Sequence, residues 1–197
     1  MTKTPPHGLT SSQTVGPFFG PALVREDATQ HVLTTSNTEG QRIRIEGRVY
    51  DGEGVPVPDA LVEIWQANAY GRYNHPNDES DAPLDPEFTG FGRAGADDDG
   101  HFWFETILPG QVAFDRERLQ APHIAVTVFG RGLLTHLYTR IYFADEAANV
   151  NDPILQLVPA DRRGTLIATR ADDHDQTAVY QWDIILQGPG ETVFFNF

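Results

Sequence analysis

Apolar and polar residues alternate with a period of two through much of this chain beyond residue 41. In "RIRIEGRVYD", Ile43, Ile45 and Val49 fall on one side and Arg42, Arg44, Glu46 and Arg48 on the other, as expected of a strand with one buried face. "LVEIWQANA" alternates in the same way and sets Val62, Ile64 and Gln66 against Leu61, Glu63 and Trp65. "HFWFETI", "HIAVTVFG", "THLYTRIYF", "TLIATRA" and "YQWDIILQG" complete the set, rich in the β-branched and aromatic residues that fit a pleated surface. Turn clusters such as "GEGVPVPDA" and "ADDDG" separate these runs. No long segment carries a 3.6-residue period, and "DPILQLVPADRR" reads as a short helix or turn. Short strands divided by Gly, Pro and Asp predict an all-β fold, a two-sheet β-sandwich with long loops.

Two stretches break the alternation. Residues 1–40 are rich in Thr, Ser, Pro, Gly and Asn and read as an extended N-terminal arm with one apolar knot at "VGPFFGPALV". The β-sandwich domain is expected over 41–197. "AYGRYNHPNDESDAPLDPEFTGFGRAG" runs on without a strand pattern. Long irregular loops are uncommon in compact domains unless they have a role, and Tyr70, Tyr73, Phe88 and Phe91 allow this one to pack. The apolar runs "TVGPFFGPALV" and "TVFFNF" exceed what one sandwich core needs and are expected to lie against a partner chain.

With 197 residues the chain suits one large domain. It has no cysteine, which removes disulfides, zinc–thiolate sites and thiol nucleophiles and fits a reducing, cytoplasmic setting. Fourteen basic against twenty-eight acidic residues leave a formal charge of −14, which argues against nucleic acid or an anionic membrane as partner. "MTKTPPHGLT" has no apolar core of a signal peptide, and no stretch approaches the length of a membrane span. On so acidic a surface an anionic substrate needs a local basic group.

The residues that carry chemistry are few. Tyr73 and His123 pair a hard oxygen donor with an imidazole nitrogen, a combination suited to ferric iron. Each also has a plainer reading, as a packed loop tyrosine and as a core histidine on an apolar strand. A strand ligand beside His123 on the same face would fall at position 125, which holds alanine. Asp97, Asp98 and Asp99 precede a strand and read as a hairpin turn rather than a calcium loop. Ser11, Ser12 and Asp173 form no nucleophile–base signature, and no glycine-rich phosphate loop is present. Arg131, between two glycines at a strand end, presents a planar, permanently charged fork that could receive a carboxylate, or could be a solvated turn residue.

"VPVPDALVEIWQANAYGRYNH", "DPEFTGFGRAGADDDGHFWFETILPG" and "PHIAVTVF…LTHLYTRIYF", with "SQTVGPFF" ahead of them, together resemble the intradiol ring-cleaving dioxygenases over roughly residues 41–145. The resemblance implies a β-sandwich and a non-haem Fe(III) held by two tyrosines and two histidines. The first tyrosine maps to Tyr73 and the first histidine to His123, but the second tyrosine position holds Val112 and the second histidine position Ala125. An arginine that the family places before the histidine pair maps to Gln120. No metal site and no catalytic residue is therefore expected in this chain alone. The likeness is strongest to members built of two homologous chains that cleave 3,4-dihydroxybenzoate (protocatechuate) with O2. It implies that a homologous β chain holds the iron in a higher-order αβ assembly, while Thr14, Gly16, Pro17 and Arg131 of this chain complete the substrate pocket. Two other readings stand beside it. One is a non-catalytic β-sandwich binding or scaffolding module, since "DGEGVPVPDALVEIW" suits many sandwiches. The other is a self-sufficient metalloprotein using Tyr73, His75 and His123.

Overall fold

The first alternating run forms β1 (Arg42–Tyr50), with Ile43, Ile45 and Val49 buried and Arg42, Arg44 and Glu46 half-buried on the other face. The computed structural model describes residues 11, 13–171 and 177–196. β4 (His101–Ile107) lies antiparallel along one edge of β1, and β10 (Ala178–Gln181) and β11 (Ile184–Ile185) lie parallel, in tandem, along the other. β9 (Ile167–Arg170) pairs antiparallel with β10 and parallel with β8 (Leu137–Phe143). From β8 the order continues antiparallel through β7 (His123–Phe129), β2 (Leu61–Trp65) and β3 (Phe91–Gly95). The predicted two-sheet sandwich is thus a single sheet folded over on itself at β9, with the turn between β3 and β4 connecting the two layers at the opposite edge, where the two strands do not pair.

The core fills the space between the layers. Ile43, Ile45, Phe102 and Phe104 from one meet Val62, Ile64, Ile124, Val126 and Ile141 from the other. Each such side chain contributes about 1.5–3 kcal/mol relative to an exposed one, so this interface holds the fold. Gln66 continues the inward row of β2 and is fully buried. Its amide donates to the Ile107 carbonyl at 3.0 Å and its oxygen accepts from Thr106 Oγ1 at 2.8 Å, which satisfies the amide across the layers. A smaller apolar cluster of Ala121, Tyr142, Leu155, Val158 and Leu166 lies outside the core.

Several elements depart from the sequence reading. The long loop is irregular through residue 90 but ends in β3, whose inward positions are Gly92 and Ala94. Small residues there admit Leu33, Ile64 and Phe104 at close range, so the strand lacks the bulky alternation that reveals the others. A two-residue hairpin, β5 (Val112–Ala113) with β6 (Leu119–Gln120), also has no alternation to show. "YQWDIILQG" is two strands rather than one. "DPILQLVPADRR" yields the 3₁₀ turn Leu155–Leu157, and a second 3₁₀ segment follows at Arg163–Leu166. The "ADDDG" turn forms as expected, with Asp97 Oδ1 accepting the Asp99 and His101 N–H groups at 3.0 and 2.9 Å.

The arm is not extended throughout. Its apolar knot makes the short helix α1 (Phe19–Leu23), with Phe19 buried and Phe18 80% exposed. Beyond it Val24 lies against Gly95, where an added Cβ would come within 2.0 Å of Val24 Cγ1. Gln30 bridges to Arg93 and Val32 to Glu105. The second half of the arm is therefore part of this chain's own sheet surface. Ser12 and Asp173 lie outside the described residues.

Candidate functional site

Strand register decides which side chains share a neighbourhood. His123 pairs with Tyr142 across β7 and β8, Ala125 pairs with Arg140, and Ala125 also pairs with Trp65 on β2. All five lie on the outer face of this layer, because Ile64, Ile124, Val126 and Ile141 take the core positions. The long loop and the β5–β6 hairpin approach Trp65 and wall an open cleft of about 480 Å³, lined in part by Tyr73, His75, Asp78, Val112 and Gln120.

Tyr73 stacks on Trp65 with ring centroids 5.8 Å apart, and its backbone N–H donates to Asp78 Oδ2 at 2.7 Å. Burial pushes its phenol pKa up, with the Arg140 charge pulling the other way and Asp78 adding to the rise. His123 is 4% exposed, and its Nδ1–H donates to the Ala121 carbonyl at 2.8 Å. Burial, reinforced by the Arg140 charge, depresses its pKa to about 4, against smaller opposing effects of Ala121 and Asp152. The ring is therefore neutral across the physiological range. His75 is exposed and its Nδ1 accepts the Asn77 N–H at 3.1 Å, so the two imidazoles face different surroundings. Among the described residues no three His, Cys, Asp or Glu side chains are placed to hold a metal ion.

Two residues that sequence reading passed over organise this region. Arg140 Nη1 donates to Gln120 Oε1 at 2.7 Å, and Gln120 Nε2 donates to the Ala113 carbonyl at 3.1 Å. Asp152 is fully buried and accepts from the Ala121, Ile154 and Leu155 N–H groups and the Tyr142 hydroxyl, at 2.8, 3.0, 2.7 and 3.0 Å. Four donors make a buried carboxylate tolerable. Burial and this acidic neighbour raise the Tyr142 phenol pKa against the pull of Arg140. The "DP" at 152–153 signals a turn, and the period-two spacing of Arg140 and Tyr142 places them on one face. Neither signal names the partner.

The residues expected in a substrate pocket gather elsewhere. Thr14 Oγ1 accepts the Gly132 N–H at 3.3 Å, which sets the exposed Thr14–Gly16–Pro17 stretch beside the loop of Arg131. Arg131 is 68% exposed and its Nε is 2.5 Å from Asp59 Oδ2. Asp59 holds a left-handed backbone, φ 65°, which aspartate tolerates better than most residues. One Nε–H so engaged leaves four further donors on the guanidinium. Arg131 follows β7, whereas His123 begins it, and seven extended residues (123–129) span about 20 Å. Arg131, with Thr14 beside its loop, thus lies at the far end of β7 from His123 of the same chain.

A sheet folded over at β9, with a tyrosine and a histidine brought to its outer face beside a loop-walled cavity, defines an intradiol-type dioxygenase fold. The chain belongs to the intradiol dioxygenase family: the family model described as Dioxygenase matches residues 14–188. It is 42% identical over 197 residues to the protocatechuate 3,4-dioxygenase alpha chain of Burkholderia cepacia, covering 95% of this chain and 96% of that one. It is 38% identical over 171 residues to the protocatechuate 3,4-dioxygenase beta chain of the same organism, covering 84% and 73%. Among solved structures, the dioxygenase domain of a dioxygenase–carbohydrate-binding fusion from Streptomyces sp. SirexAA-E superimposes with a TM-score of 0.63 at 24% identity, covering 90% of this chain and 97% of that one.

The family generally works with non-haem iron(III). The residues of this chain do not fit that ion. Val112 and Ala125 offer no donor atom, and the guanidinium of Arg140, not an imidazole, extends from the row of Ala125.

Proposed function

We propose that this chain is the alpha subunit of a protocatechuate 3,4-dioxygenase, completing a substrate pocket whose iron(III) belongs to a homologous beta chain. In that assembly 3,4-dihydroxybenzoate and O2 give 3-carboxy-cis,cis-muconate, with the ring opened between its two hydroxylated carbons. Held by the partner, iron(III) would supply the activation of the catechol toward O2. This chain's part is to bind and orient. The observation that carries the reading is the separation of Arg131 and Thr14 from His123: Arg131 follows the far end of β7, about 20 Å along the strand from His123, so it and the adjacent Thr14 serve a site other than the one Tyr73 and His123 mark. Phe18 and Leu134, 80% and 79% exposed, supply apolar surface on the arm and the Arg131 loop for that partner. Of the described arm, the exposed stretch from Gln13 to Phe18 is the part that faces the partner. Arg131 receives the substrate carboxylate, with Asp59 holding the guanidinium in place beforehand. A charge-assisted contact in a pocket closed by the partner is worth about 1.5–3 kcal/mol.

Co-expression with a beta homologue tests this, with iron content and protocatechuate-dependent O2 uptake as readouts. We expect no iron in the chain alone and iron with turnover in the pair. In the pair, Arg131→Ala raises KM for protocatechuate about 10- to 100-fold. Stoichiometric iron and turnover from the chain alone would overturn the assignment, and an unchanged KM would remove Arg131 from the pocket.

A further inference from the structure

The region of Tyr73 and His123 has no donor at positions 112 and 125, yet it is not simply apolar packing. A cation, Arg140, lies there. Ala125 and Arg140 are cross-strand partners, so their Cβ atoms stand about 5 Å apart on one face. A methyl group at 125 leaves room over that face for the long side chain of 140. Gln120 holds the guanidinium at 2.7 Å and is itself tied to the β5–β6 hairpin through the Ala113 carbonyl. The hairpin also carries Val112, the other donor-less position. The Arg140 charge acts on Tyr73, His123 and Tyr142 alike. One fixed cation thus lies among the surviving tyrosine, the surviving histidine and both emptied positions.

We propose that Arg140 occupies the place of the metal, a resident guanidinium that keeps metal ions out of this chain and braces the walls of the former site. Two consequences separate this from mere loss of ligands. Restoring the missing donors is insufficient, because an incoming di- or trivalent ion meets a positive charge already seated and held by Gln120. With both donors restored, removing the guanidinium opens the site. The inference rests on the assignment of this chain as the subunit without iron.

The test uses the full-length chain, with cobalt(II) as a redox-silent probe followed by equilibrium dialysis and visible absorption. Val112→Tyr/Ala125→His restores both donors and is expected to bind no cobalt above the parent. The same pair with Arg140→Ala is expected to bind about one equivalent, at least ten-fold more tightly. Equal binding with and without Arg140 overturns the proposal. Should the triple variant not fold, the restored pair with Arg140→Gln decides: excess cobalt raises its melting temperature and leaves that of the pair with Arg140 intact unmoved, and no difference between the two sinks the idea. Stoichiometric iron in the unaltered chain as isolated would defeat the subunit assignment itself. Cobalt uptake by the double variant, with an iron-free parent, would defeat only the role of Arg140.

Discussion

His123 makes the stability of this protein depend on pH. Its ordinary pKa of 6.5 falls to about 4 in the fold. A shift of about 2.5 units corresponds to about 3.4 kcal/mol, an order-of-magnitude figure. Between these values the unfolded chain takes up a proton that the folded protein refuses, so stability is full above pH 6.5 and declines as the pH falls toward 4. Near pH 5 the two-state expression gives a loss of about 2 kcal/mol, most of it before ordinary carboxylates protonate. Urea unfolding at about pH 7 and about pH 5 measures the loss directly. The comparison is with His123→Gln, whose amide can still donate to the Ala121 carbonyl. The parent should lose about 2 kcal/mol more than the variant between the two pH values. Parallel losses would refute the claim that the buried neutral imidazole is the source.

Asp152→Ala removes the acceptor of three backbone N–H groups and the Tyr142 hydroxyl, and should cost about 3 kcal/mol or more in chemical denaturation. Asp152→Asn should restore part of it. Gly95→Val places side-chain carbon where Val24 Cγ1 lies 2.0 Å from even a Cβ. It should free the arm, seen as faster proteolysis ahead of residue 30 with the sandwich still folding cooperatively. Asp59→Ala should release Arg131 without removing it, so KM in the assembled enzyme should rise, but less than for Arg131→Ala; an equal or larger rise would make Asp59 itself a substrate contact.

The strands with bulky alternation were legible from the sequence because burial of one face writes itself as a period of two, as in β1 and β7. β3 was not, since its inward residues are Gly92 and Ala94, chosen for what they let in rather than for their own bulk. The β10–β11 break was hidden for a different reason: "YQWDIILQG" keeps its alternation of buried Tyr180, Trp182 and Ile184 with exposed Gln181 and Asp183 straight across the break, and only pairing with β1 shows where it divides. At the site, Tyr73, Val112, His123 and Ala125 were placed by motif. Arg140 was missed because an arginine in a strand reads as a solvated face until the register sets it opposite Ala125. Asp59 was missed because its role is to a residue 72 positions away.

β1 keeps one edge for strands at the far end of the chain: Ile43 pairs with Ala178, 135 positions later. Where the edge passes from β10 to β11, the backbones nearly touch, and a Cβ on Gly47 would lie 1.8 Å from the Trp182 carbonyl oxygen. At translation speeds of about 5–20 residues per second, those partners leave the ribosome roughly 7–27 s after β1 does. Meanwhile β1 can pair only with β4, and its second edge stays open to any strand that arrives, including the same strand on a neighbouring nascent chain. The yield of folded protein is therefore decided in that interval, by the pace of synthesis and by whatever shields the waiting edge.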